Sequence, residues 1–147
     1  MLLRIRALAA GAWAGMLLTI GALAAPGAFA LLDRADAGRL VGRYFLVEAR
    51  ASIALAVLLI VCERVLKRRQ AEDELPRPQF TVELMLALGA LFCTIAGFEV
   101  VQPLMEQARA GQGTWSFGTL HAVSSSFFVV KLVLVLVLAW RSCSQFR

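Results

Sequence analysis

Apolar residues gather into four long runs separated by polar punctuation. The runs cover about 5–25, 43–62, 82–102 and 117–140, each near the ~20 residues that span ~30 Å of hydrocarbon. The pattern predicts an all-α integral membrane four-helix bundle. Pro26 and Gly27 are expected to end the first helix, because proline removes a ladder hydrogen bond and its ring clashes with the preceding turn. Gln102-Pro103 is expected to close the third. Gly111 and Gly113 mark the turn before the fourth. Ala28-Phe29-Ala30 resembles a signal-peptide cleavage site, but the first apolar run exceeds the length of an h-region, so the helix is expected to be retained. Residues 63–80 form a charged linker between two helical hairpins, beginning as a solvated extension of the second helix. The whole chain, 1–147, reads as one domain, since both outer loops are too short to fold separately.

Composition agrees with a membrane protein: 60% of the 147 residues are hydrophobic. The net charge of +5 does not indicate nucleic acid, because no helix-turn-helix pattern, zinc-finger spacing or basic-aromatic stripe accompanies it. Most basic residues flank apolar runs and set orientation. Arg4, Arg6, Arg64, Lys67, Arg68, Arg69, Arg77, Arg141 and Arg147 fall on the side of the termini and linker, against Arg34, Arg39, Arg43 and Arg109 opposite. Both termini are therefore expected to be cytoplasmic, with the bacterial inner membrane as the setting. Cys62, Cys93 and Cys143 are far apart and odd in number, which argues against a disulfide scaffold or zinc knuckle.

Small residues suggest how the helices approach one another. Gly11 and Gly15 form a GxxxG step in the first helix, continued by Thr19 and Ala22. Gly89, Cys93 and Gly97 form a small-residue row in the third. The first and third helices also end alike, in AAPGAFALLDRADAG and VVQPLMEQARAG, and each precedes a helix beginning near Phe and soon reaching Ser. A parallel repeat and chance similarity both remain open.

Ionisable residues inside apolar runs are the candidate chemistry, because such groups are costly in hydrocarbon and usually face the bundle interior in pairs. Glu48, Arg50, Glu99 and His121 fall at similar depths near the outer ends of three helices. They are expected to form a polar cluster with Ser124, Ser125 and Gln102. Arg50 points ~200° around the helix from Glu48, towards another helix or the outer headgroups. Lys131 lies too deep for simple snorkelling, so it is expected to turn inward to hydroxyls or carbonyls, or to lie at a protomer interface.

The ordered motifs Trp13-x-Gly15, then Ala25-Pro26-x-x-Phe29, Pro103, and Phe117-x-x-x-His121-x-x-Ser124 resemble the bacterial branch of the transmembrane protein 205-like family. The resemblance covers about Leu8 to Trp140. It implies a small four-helix integral membrane protein with no agreed residue roles. Its eukaryotic relatives are associated with platinum-drug resistance, which implies export or trafficking of metal complexes.

Three functional readings follow. The polar cluster can bind or transport a small cation, metal complex or proton, with the identity of any metal left open. It can instead be a structural set that fixes helix register, in an accessory subunit of a larger membrane complex or a homo-oligomer. An enzyme or redox protein is not expected: no HExxH, GxSxG or Cys-His pair occurs, and one histidine cannot supply bis-histidine haem ligation. No cofactor is expected, and the lipid bilayer is the only obligatory partner.

Overall fold

A computed structural model describes residues 1–71 and 80–144, and all regular structure among them is helical. The first helix, Leu2–Leu31, and the third, Val82–Arg109, each contain a π-helical stretch; the second is Arg34–Ala71 and the fourth Phe117–Ser144. All four are long and apolar enough to cross a membrane. Residues 72–79, the remainder of the expected linker, lie outside the described residues.

Neither Pro26 nor Pro103 ends its helix, contrary to the sequence expectation. A π-helical stretch precedes each proline: Thr19–Ala24 before Pro26, and Ile95–Val100 before Pro103. The Ala25 N–H reaches back five residues to the Ile20 carbonyl, and the Val101 N–H to that of Ala96. This shift re-satisfies backbone groups around the proline gap, as hydrocarbon requires of a spanning helix. The first helix consequently runs on to Leu31, and the third to Arg109.

Local chemistry sets the other boundaries. The second helix begins at Arg34, some nine residues before the expected start at 43. Asp36 lies in its first turn, where a carboxylate complements the helix dipole and pairs with Arg39. Thr81 caps the third helix by accepting from the Leu84 N–H at 3.1 Å. Ser116 does the same for the fourth, accepting from the Thr119 N–H at 3.1 Å. Gly111 and Gly113 have φ of 73° and 97°, left-handed values that L side chains resist, so this turn requires glycine.

The helices form a four-membered ring. The first and third each pack against the second and fourth, whereas among the described residues the first and third, like the second and fourth, make no close backbone approach across the diagonals. Ala10, Ala14, Ala56, Ala87 and Ala90 let backbones come close, while Trp13, Leu17, Leu59, Val135 and Leu138 fill the centre. Water provides no drive for this packing in a bilayer, so van der Waals fit and interhelical hydrogen bonds must hold the ring.

The glycine rows divide. A Cβ on Gly89 would lie 3.1 Å from Leu134 Cδ1, and one on Gly97 3.0 Å from Phe127 Cβ, so both sit at close approaches. Gly11 and Gly15 instead face outward with nothing within 4 Å of an added Cβ. They do not pack the bundle. In the first helix the tight position is Gly21, where a Cβ would fall 2.8 Å from Phe128 Cε1.

Both ends of the apolar layer can be located. Arg43 and Glu63 in the second helix, and His121 and Arg141 in the fourth, are each 20 positions apart. That is about 30 Å at helical rise, the thickness of a hydrocarbon core. The first helix begins and the fourth ends at the Glu63–Arg141 end, here the terminal end; the opposite end is the loop end.

Candidate functional site

One buried ion pair crosses the ring. Lys131 Nζ donates to Glu48 Oε1 at 2.8 Å and to Oε2 at 3.0 Å. The two side chains are about 95% or more buried and come from the second and fourth helices, which face each other across a diagonal. Lys131 is ten positions from His121 and Glu48 only five from Arg43. Helical side chains lean towards the N-terminus, so the long lysine stem climbs towards the loop end and brings the ammonium to the carboxylate.

The pair is supported on several sides. Ser52, one turn below Glu48, donates its hydroxyl to Glu48 Oε1, and Trp13 Nε1 donates to Ser52 Oγ at 2.8 Å. Trp13 and Ser52 are fully buried. Lys131 Nζ also lies 5.3 Å from the centroid of the Phe128 ring, within cation–π reach. Phe45 closes edge-on against Phe128 at 5.3 Å. The result is a continuous chain, Trp13–Ser52–Glu48–Lys131, drawn from three helices.

The two π-helical stretches flank this chain. Gly21 lies in one and abuts Phe128; Gly97 lies in the other and abuts Phe127. Ser124 donates to the Gly97 carbonyl at 3.3 Å. Irregular backbone on both neighbours of the fourth helix therefore touches it within about one turn of Lys131. Such π segments recur at functional sites.

The expected outer cluster is not assembled. Glu48 joins Lys131 instead of His121, because Lys131 reaches up to its level while His121 faces outward. His121 is exposed and stacks on Phe117, with ring centroids 5.8 Å apart and planes 14° from parallel. Arg109 lies over the Phe117 ring at the loop end, 4.6 Å from its centroid. Arg50 and Glu99 approach each other at 4.0 Å on the outside of the bundle. Ser125 is exposed and Gln102 half-buried, without a place in the buried chain. Of the remaining motif residues, Trp13 is buried, whereas Phe29, Pro26 and Pro103 are exposed. Among the described residues no group of three His, Cys, Asp or Glu side chains is placed to hold a metal.

Sequence reasoning missed a second charged layer at the terminal end. Arg6 pairs with Glu63 at 2.5 Å, both buried, and Thr81 Oγ1 donates to Glu63 Oε2 at 3.4 Å. Arg141 pairs with buried Glu83 through Nε at 3.0 Å and Nη2 at 2.9 Å. Each hairpin is thus closed by an Arg–Glu pair, with the charges in opposite order. The available signal was the presence of two acids, Glu63 and Glu83, at an end otherwise rich in arginine.

These features define a class: a four-helix protein whose helices are each long and apolar enough to cross a membrane, with a buried ion pair across its centre and charged clasps at one end. A family model for a domain of unknown function, DUF4149, matches residues 8–114, and the chain belongs to that family. The match takes in Trp13, Glu48, Ser52 and both π-helical stretches, and stops short of the fourth helix. No curated protein and no solved structure matches the chain.

Proposed function

We propose that this protein is a non-enzymatic bacterial inner-membrane protein that passes a proton or small cation through the Lys131–Glu48 centre. The observation that carries the reading is the diagonal ion pair, buried between two π-helical stretches. Intramembrane ionisable groups that face a bundle interior mark ion pathways by default. A carboxylate bonded to one ammonium and one hydroxyl can release the ammonium when it takes up a proton, without emptying a metal site. Cytoplasmic termini are part of the proposal and rest on the basic residues at the terminal end. The resemblance to the transmembrane protein 205-like family is also retained, on the order of Trp13, Pro26, Pro103 and His121. A metal complex as cargo derives from that resemblance alone.

A specific observation favours a second reading, a structural or accessory subunit. Every buried charged side chain among the described residues has an oppositely charged partner within the chain: Glu48 with Lys131, Arg6 with Glu63, and Glu83 with Arg141. Such a set fixes helix register without transporting anything.

The two readings separate in liposomes. With the purified full chain and an imposed pH or K⁺ gradient, wild type should dissipate the gradient faster than empty vesicles. Glu48→Gln/Lys131→Met should abolish that flux while retaining the wild-type folded yield, and His121→Ala should leave it unchanged. Wild-type vesicles as tight as empty ones to H⁺, Na⁺ and K⁺ would sink the transport reading.

A further inference from the structure

The Arg50–Glu99 pair lies within the apolar layer yet outside the bundle. Arg50 is seven positions in from Arg43, about 10 Å below the loop-end boundary by helical rise, and Glu99 meets it at the same level. The side chains remain 68% and 44% exposed, and they meet at only 4.0 Å. Arginine carries five N–H donors, and one long contact leaves most of them without a partner in the same chain. Glu99 has no easy route to water, because the third helix runs away from the terminal end and its side chains lean back towards the bilayer centre. The face around the pair is otherwise apolar, with Val47 and Val57 exposed on the second helix and Phe92 and Ile95 on the third.

We infer that this face, formed by the second and third helices, docks a second copy of the same chain in a two-fold dimer. The charge pattern identifies the occupant. A surface bearing one cation and one anion side by side, at equal depth, complements itself when rotated by 180° about the membrane normal, the isologous arrangement of a two-fold dimer. Arg50 of each copy then meets Glu99 of the other, and four charges form a closed square in which every group has two opposite neighbours. An anionic lipid headgroup would satisfy Arg50 and repel Glu99. The outward Gly11–Gly15 step is on the first helix, which contributes nothing to this face, so it serves as a control.

The test uses the full chain with two different affinity tags, co-expressed in one membrane, and reads co-purification of one tag with the other. Wild type should co-purify. Arg50→Glu alone and Glu99→Arg alone each place like charges across the interface, and each should reduce co-purification at least tenfold. Arg50→Glu in one copy together with Glu99→Arg in the other restores both cross-copy pairs and should recover association. Within each copy the like charges persist, so an intrachain effect cannot explain that rescue. Size-exclusion profiles of each variant check folding, and Arg50→Gln with Glu99→Gln replaces the reversals if either aggregates; the neutral pair should then weaken association. Ala54→Cys in one copy should also cross-link to Phe92→Cys in the other, in a Cys143→Ser background. The inference is overturned if wild type does not self-associate, or if the mixed charge reversals fail to rescue. Sensitivity to Arg50→Glu without Glu99→Arg would indicate lipid, and loss through Gly15→Leu alone would move the interface to the first helix; either result also overturns it.

Discussion

Glu48 and Arg50 are two residues apart on one helix, and their surroundings are opposite. Glu48 points into the ring, is 2% exposed, and receives two bonds from Lys131 and one from Ser52. Arg50 points out and holds a single 4.0 Å contact with Glu99. The spacing accounts for the difference, since two helical steps turn ~200° and carry consecutive charges to opposite faces. A charge inside a membrane helix thus has two solutions: bring its partner into the core, or meet it at the surface. The first makes a charge part of the fold. The second leaves it available to another molecule.

The largest expected effect comes from breaking the inner pair on one side. Lys131→Met leaves the Glu48 carboxylate buried with only the Ser52 hydroxyl bonded to it, and loss of one partner of a buried pair costs about 3–5 kcal/mol. Unfolding of the detergent-solubilised protein by denaturant should show a loss of that size. Glu48→Gln/Lys131→Met removes both charges, and should return to within about 1 kcal/mol of wild type, since neutral replacements of a buried pair are often tolerated. A single variant as stable as wild type would mean that water already reaches the pair and that the ring is not closed around it.

The inner pair also shows what could be read in advance. The apolar runs located four helices, because hydrocarbon thickness sets helix length independently of packing. The opposed directions of Glu48 and Arg50 followed from helical geometry alone, while the depth of Lys131 left open an inward turn or a protomer interface, of which the structure shows the inward turn. The partnership of Glu48 with Lys131 did not follow in that way, because the Cα position misstates the depth of a long side chain, and the lysine stem moves its charge well towards the loop end. The prolines misled for a different reason. A proline rule built on single hydrogen bonds cannot register that a π-helical stretch one turn earlier restores the ladder. His121 is expected level with Glu48 and Arg50, but it sits at the loop-end boundary and faces outward, since the fourth helix turns Leu120 inward beside it.

A smaller effect should follow from altering the contact between a π-helical stretch and the fourth helix. Gly97→Ala puts a methyl 3.0 Å from Phe127 Cβ, an atom rooted close to the backbone and unable to swing aside. Overpacking of this kind costs about 1–3 kcal/mol. The same denaturant assay should place Gly97→Ala between Lys131→Met and wild type. Gly15→Ala, where an added Cβ meets nothing within 4 Å, should leave stability unchanged. If the two glycine variants behave alike, the third and fourth helices do not meet as closely as the Gly97–Phe127 contact requires.

The smallest effect on the isolated fold should come from the outer pair, and it completes the comparison. Arg50→Ala removes one long contact between two largely exposed side chains, worth about 0–1 kcal/mol for pairs of this kind. Unfolding of the detergent-solubilised monomer should therefore scarcely change, whereas self-association in the membrane should weaken. That split is the signature of a surface charge whose second partner lies on another copy. An Arg50→Ala monomer destabilised as much as Lys131→Met would instead make the outer pair a clasp of the fold, and the distinction between the two faces of the second helix would fail.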